Sequence, residues 1–212
     1  MLQFCFVAFI DILGFSEMVR ADCHSGSEPP KYLPIIRETL TDAREARADE
    51  AYSISQFSDS IIVSRPFQPD LECFEEFLQV VADLQKMLLR KGVLSRGGVA
   101  HGKHHDADGI VFSQALVEAY RLESTVATTP RIVISEDLLQ LFDAGQLALA
   151  HDRDGLFFID YLKDLEAGGV ADVIGLITEG IQNPDRRVSA KYRWLSDYCH
   201  WRHPDGGAAL SE

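Results

Sequence analysis

Phe4-Cys5-Phe6-Val7-Ala8-Phe9-Ile10-Asp11-Ile12-Leu13-Gly14-Phe15 opens the chain with an apolar strand that closes on an aspartate and turns at a glycine. A second stretch, Gln56-Phe57-Ser58-Asp59-Ser60-Ile61-Ile62-Val63, sets another aspartate between two aromatic or β-branched runs, the pattern of a hairpin over 52–57 and 60–64. If the two strands are neighbours in one sheet, Asp11 and Asp59 reach the same pair of hard divalent cations, which take oxygen ligands and grip triphosphates. Phosphoryl-transfer chemistry is what such an arrangement does.

Outward from these strands, Gly14 leads into a short helix over 16–20, and the polar stretch 22–30 reads as a loop. A helix is expected over 32–50, with Leu33, Ile36 and Leu40 at helical spacing. Pro66 and Pro69 close the hairpin, and Asp70 caps a long helix whose apolar positions, Phe74 to Leu89, recur at three and four until Gly92. A further hairpin over 93–100 and 110–112 is expected around a polar His104-His105-Asp106 tip, followed by a helix over 115–124. Strands are read at 131–134, 147–150 and 156–161, and a helix rich in Tyr and Trp at 185–201. The order predicts an α+β sheet with helices packed on one face.

Composition narrows the function. The 212 residues suffice for one buried core with appendages, and a charge of −13 argues against a nucleic-acid or anionic-membrane surface. Cys5, Cys23, Cys73 and Cys199 are scattered without metal-ligand spacing, as expected of reduced thiols. No basic segment precedes the first apolar run, which is too short to span a bilayer, so a cytoplasmic protein without a membrane partner is expected.

The segments Phe9 to Phe15, Phe57-Ser58-Asp59-Ser60, Arg96-Gly97-Gly98-Val99-Ala100-His101-Gly102 and Ala119-Tyr120-Arg121-Leu122-Glu123 resemble, in content and order, the class III nucleotidyl cyclase catalytic domain. The resemblance covers about residues 4–162 and implies a ferredoxin-like cyclase sheet, a catalytic domain over 1–162 and a C-terminal helical extension over 163–212. It implies that Asp11 and Asp59, with the carbonyl of Ile12, hold two Mn²⁺ or Mg²⁺ ions, that Leu13, Gly14 and Phe15 cradle the phosphates, and that Arg121 carries charge developing on the α-phosphate. It also implies a homodimer whose sites take metal ligands from one subunit and base and transition-state residues from the other.

The departures carry information as well. The adenine-reading lysine and aspartate of adenylate cyclases fall at Ser55 and Ile110, the glutamate and cysteine of guanylate cyclases are missing there, and the family's transition-state asparagine falls at Val117. The Ala115 to Glu123 stretch looks like that of the Pycsar uridylate and cytidylate cyclases of bacterial anti-phage defence, whose cyclic nucleotide activates a separate effector. The resemblance therefore implies a pyrimidine triphosphate substrate, UTP ahead of CTP, with Tyr52, Ser55 and Phe57 as pocket residues. A catalytically inactive nucleotide sensor is the rival motivated by Val117, and a polymerase-like palm a third reading that the acidic charge disfavours. Other features read as structure: His101, His104 and His105 as solvated turn residues, Gly97-Gly98 as tight strand packing, and the Tyr192, Trp194, Tyr198, Trp201 cluster as core or dimer contact.

Overall fold

The computed structural model describes residues 1–24, 29–47, 51–142 and 144–204. Strand β1 (Gln3–Ile12) is an inner strand of the sheet, and turns through Gly14, whose φ of +80° suits glycine, into α1 (Phe15–His24). Helix α2 (Tyr32–Glu45) follows. Then come β2 (Ser53–Phe57), β3 (Ser60–Pro66), α3 (Leu71–Arg90), β4 (Ser95–Ala107), β5 (Ile110–Ser113) and α4 (Gln114–Thr125). The chain continues through β6 (Ile132–Ile134), α5 (Glu136–Leu141), β7 (Leu149–His151) and β8 (Phe157–Ile159) to α6 (Ala167–Ile181) and α7 (Arg186–Arg202). Among the described residues the strands form one eight-stranded sheet in the order β2-β3-β1-β4-β6-β8-β7, with β5 paired to β4. This is the expected α+β architecture, C-terminal helices included.

Alternation along β1 divides the core. Phe6, Ala8, Ile10 and Ile12 point to α3, where Phe6 stacks on Phe74 at 4.9 Å, while Cys5 and Val7 point to the other face and pack with Ala115 of α4. Helices therefore cover both faces, not one as expected. The reason lies in β4: a side chain at Gly98 would put its Cβ 2.5 Å from the Ala119 carbonyl oxygen and 2.6 Å from Leu122 Cβ, so the glycine lets α4 lie directly on the strand. We expect Gly98→Ala to cost about 2 kcal/mol, the scale of overpacking a tight contact, read as a lower denaturant midpoint at unchanged slope.

Boundaries differ where long-range pairing outweighs local signals. Helix α1 runs on to His24, because Asp22 near its end accepts the Lys31, Tyr32 and Leu33 amides at 2.8 to 2.9 Å and so caps α2 from a distance. Of the expected loop over 22–30, residues 25–28 lie outside the described residues, as does the expected helix end at 48–50. Strand β3 includes Pro66, which sits opposite Cys5 at the end of the ladder. Strand β4 is longer than expected, because its pairing with β1 reaches Gln3 opposite His104, so the hairpin tip moves to Asp108 and Gly109. His101, His104 and His105 are thus strand residues, and the expectation of solvated turn histidines fails: His104 is only 3% exposed, and neither ring nitrogen has a hydrogen-bond partner among the described residues. Short helix α5, not foreseen, seats Phe142 against Phe74 at 4.6 Å. Helices α6 and α7 contribute Val173, Ile177, Leu195 and Tyr198 to the same core. No described helix is long and apolar enough to cross a membrane.

Candidate active site

The register of the sheet brings the two aspartates together. Asp11 lies opposite Ser60 on one side and opposite Arg96 on the other, and the Ile12 amide donates to the Asp59 carbonyl at 2.8 Å, tying the hairpin tip to the end of β1. Ser58 takes the left-handed conformation, with φ of 56°, that closes this two-residue tip. The Ser60 hydroxyl stands 3.4 Å from Asp59 Oδ1.

Two charged residues complete the cluster, and the sequence reading had given neither a role. Arg96 Nε donates to Asp11 Oδ2 at 3.3 Å, its Nη1 donates to the Ala127 carbonyl at 3.2 Å, and its Nη2 lies 2.6 Å from Oε1 of buried Glu123. Burial raises the Asp11 carboxyl, Arg96 opposes that rise, and the nearby Asp59 charge adds to it. Glu123 is likewise raised by burial, against Arg96 and with Asp11 and Asp59. The available signal for Glu123 was its place on the face of α4 that carries Ala115, Ala119 and Leu122, where a charge is out of keeping with its neighbours.

The other expected site residues separate into groups. Gly14 and Phe15 stand at the start of α1, where the Gly14 carbonyl accepts the Glu17 and Met18 amides at 3.0 and 3.1 Å, and the Leu13 amide is taken by the Leu94 carbonyl at 2.9 Å. Ser55 and Phe57 share the sheet face of Asp11, with Ser55 opposite Ile62 and Phe57 opposite Ser60. Tyr52 does not: its ring stacks on Phe77 beneath α3, and its hydroxyl accepts from Arg65 Nη1 at 3.0 Å. Arg121 is exposed and forked onto Glu118, at 2.9 and 2.6 Å. It stands two positions from Glu123, roughly 200° around the helix, and so points away from its own chain's carboxylates.

The same face holds a cavity of about 470 Å³ toward the far end of β1, lined by Gln3, Ser53, Ser64, His104 and Asp106 among others. There the Ser53 hydroxyl donates to Asp106 Oδ2 at 3.1 Å. Six residues of strand, about 20 Å, separate Cys5 at this cavity from Asp11, which is too far for one nucleotide to span within a chain. The rest of this face is apolar and open: Phe57, Val117 and Tyr120 are exposed, and the Tyr120 ring meets Phe9 edge-on at 5.4 Å.

No protein-family model matches the chain, and no curated protein matches it by sequence. Solved structures share its fold. The catalytic core of a rhodopsin-guanylyl cyclase with converted specificity, in complex with ATPαS, aligns over 74% of this chain and 96% of its own at 14% identity, with a TM-score of 0.52. The non-canonical dimeric guanylyl cyclase domain of the RhoGC fusion protein from the aquatic fungus Blastocladiella emersonii aligns over 74% and 93% at 13% identity, also with a TM-score of 0.52. The sheet and its helices thus have the class III cyclase fold.

Proposed function

We propose that this protein is a metal-dependent nucleotidyl cyclase that converts a pyrimidine nucleoside triphosphate, UTP ahead of CTP, to its 3′,5′-cyclic monophosphate and pyrophosphate. The observation that supports the reading is the backbone bond from the Ile12 amide to the Asp59 carbonyl, which ties the two aspartate-bearing segments together in a chain with the class III cyclase fold. The donors suit a hard cation: they are oxygens only, and two like charges held together in a partly buried site call for a positive counterion.

Asp11, Asp59 and the Ile12 carbonyl would hold two Mn²⁺ or Mg²⁺ ions. Ions held there would supply Lewis acidity toward the ribose 3′-hydroxyl and positive charge toward the leaving pyrophosphate. The chain's own groups do the rest. Arg96, braced by Glu123 and the Ala127 carbonyl, fixes the Asp11 carboxylate, and the Phe15 and Ser16 amides at the start of α1 receive phosphate oxygens. Arg121, facing outward, stabilises the α-phosphate of a nucleotide bound to a second copy of the chain. In a two-fold dimer through the open face, the cavity around Ser53 and Asp106 of one protomer lies over the carboxylates of the other, which removes the span problem. The cyclic product, acting through a separate effector protein in anti-phage defence, is the biological role we attach to this activity.

Base choice tests the substrate assignment. The positions that read purines in related enzymes hold Ser55 and the exposed, apolar Ile110, so a purine edge would lose partners worth about 1 to 3 kcal/mol each. Incubation with the four ribonucleoside triphosphates and Mn²⁺, followed by mass analysis, is expected to give cyclic UMP as the main product. Cyclic AMP or cyclic GMP in its place would overturn the pyrimidine assignment, and no cyclic product would overturn the enzyme.

A further inference from the structure

The cavity at the far end of β1 has a polar wall that the fold leaves unsatisfied. His104 lines it at 3% exposure, yet neither ring nitrogen has a hydrogen-bond partner among the described residues. Register explains the burial: His104 pairs with Gln3 of β1 on one side and with Ser113 of β5 on the other. Asp106, two residues on, shares its face of β4 and lines the same cavity, as do Ser53 and Ser64, which are partners in the β2–β3 ladder.

A buried imidazole with both nitrogens unpaired costs stability, and an apolar side chain would fill the place at less cost. Its retention beside a cavity points to a ligand. Burial pushes the His104 ring below its ordinary range, Asp106 opposes that fall and His105 adds to it, so at neutral pH the ring is uncharged. It then offers one N–H donor and one nitrogen acceptor.

The lining selects the group that fits. No Lys or Arg side chain lines the cavity and Asp106 brings a negative charge, so a phosphate is disfavoured. Among the described residues its His, Cys and Asp side chains are not grouped to hold a metal ion. A volume of about 470 Å³ suits a small organic molecule. Asp106 Oδ2 accepts the Ser53 hydroxyl at 3.1 Å, and Oδ1 forms no hydrogen bond among the described residues. The cavity thus presents a carboxylate acceptor with an imidazole N–H and the Ser64 hydroxyl as donors. Uracil has the complementary edge: the carbonyls O4 and O2 accept, and N3–H between them donates. Cytosine turns a lone pair at N3 toward the carboxylate and loses the central bond.

We propose that this cavity is a uracil pocket, in which Asp106 accepts the base N3–H and His104 donates to a flanking carbonyl, so that two residues of β4 set the preference for UTP over CTP. This rests on the reading of the chain as a pyrimidine cyclase. Uridine, which carries no phosphate and needs no metal, tests it on the full chain by NMR of the histidine rings, with His104 identified by the signal lost in His104→Leu. Uridine is expected to shift the His104 signal saturably, and 3-methyluridine, which has no N3 proton to donate, to bind about tenfold or more weakly. His104→Leu is expected to melt level with the wild type or above it and to bind uridine about tenfold more weakly. In cyclisation assays the same variant is expected to raise KM for UTP more than it lowers kcat, and to narrow the preference for UTP over CTP. Uridine that leaves the His104 signal in place, or that binds wild type and His104→Leu alike, would overturn the proposal. Equal affinity for uridine and 3-methyluridine would overturn it without any variant. Cyclic UMP made by that wild type would still keep the cyclase reading, whereas uridine bound at His104 in a protein that makes no cyclic product would keep the pocket and remove the enzyme.

Discussion

Asp11→Asn and Asp59→Asn each lower cyclisation by about a thousandfold or more, because each takes away a charged oxygen from a site whose chemistry depends on held cations. The fold survives. Burial, ahead of the Asp59 charge, holds the Asp11 carboxyl above its ordinary range, so the ionised form opposes folding. A carboxyl raised in the folded state adds stability that is complete below its unfolded pKa and is lost as pH rises through its folded value. At neutral pH without metal, Asp11→Asn therefore melts level with the wild type or above it, and its advantage shrinks on acidification. Thermal melts at pH 7 and pH 4 with chelator present check this sign. An Asp11→Asn protein that melts well below the wild type at pH 7 would show that the pairing with Arg96 outweighs the burial of the charge.

Mixing two inactive variants restores activity. Arg121→Ala is expected to lose on the order of a hundredfold in rate with metal binding kept, since the residue acts on charge that develops on the α-phosphate. In the structure Arg121 faces solvent with Glu118, while Glu123 two residues later is turned inward to Arg96, so α4 turns one side to its own chain's cluster and leaves the other free for the partner of the proposed dimer. Asp59→Asn and Arg121→Ala subunits, once exchanged, give mixed dimers in which one site is intact. Tagged pull-down confirms exchange before the rate is measured. Exchange without recovered cyclisation would assign each chain a complete site of its own.

The strands that carry Asp11 and Asp59 were legible because both signals are local: an apolar run, a glycine turn, a two-residue hairpin tip. That these strands are neighbours in one sheet was legible only through the order of motifs. What sequence did not disclose depends on long-range register. The length of β4, the burial of His104 and the position of the hairpin tip all follow from how far β4 pairs along β1, a tertiary choice that overrides the polar character of His104-His105-Asp106. Tyr52 lies on the α3 face, as its even position against odd Ser55 and Phe57 on the strand indicates, and its place among the pocket residues set that alternation aside. Arg96 and Glu123 were visible as motif letters, but their joint hold on Asp11 needs strand and helix placed against each other.

The open apolar face ties output to abundance. Phe57, Val117 and Tyr120 stand exposed on the side of the carboxylates, and in the proposed dimer a second chain covers them. If each catalytic centre is divided between two subunits, as proposed, synthesis at high dilution would grow with the square of enzyme concentration and become linear only above the dimer dissociation constant. A cell holding few copies would stay nearly silent, and a modest rise in expression would produce a disproportionate pulse of messenger. Assembly then acts as a threshold, with no need for a dedicated inhibitor.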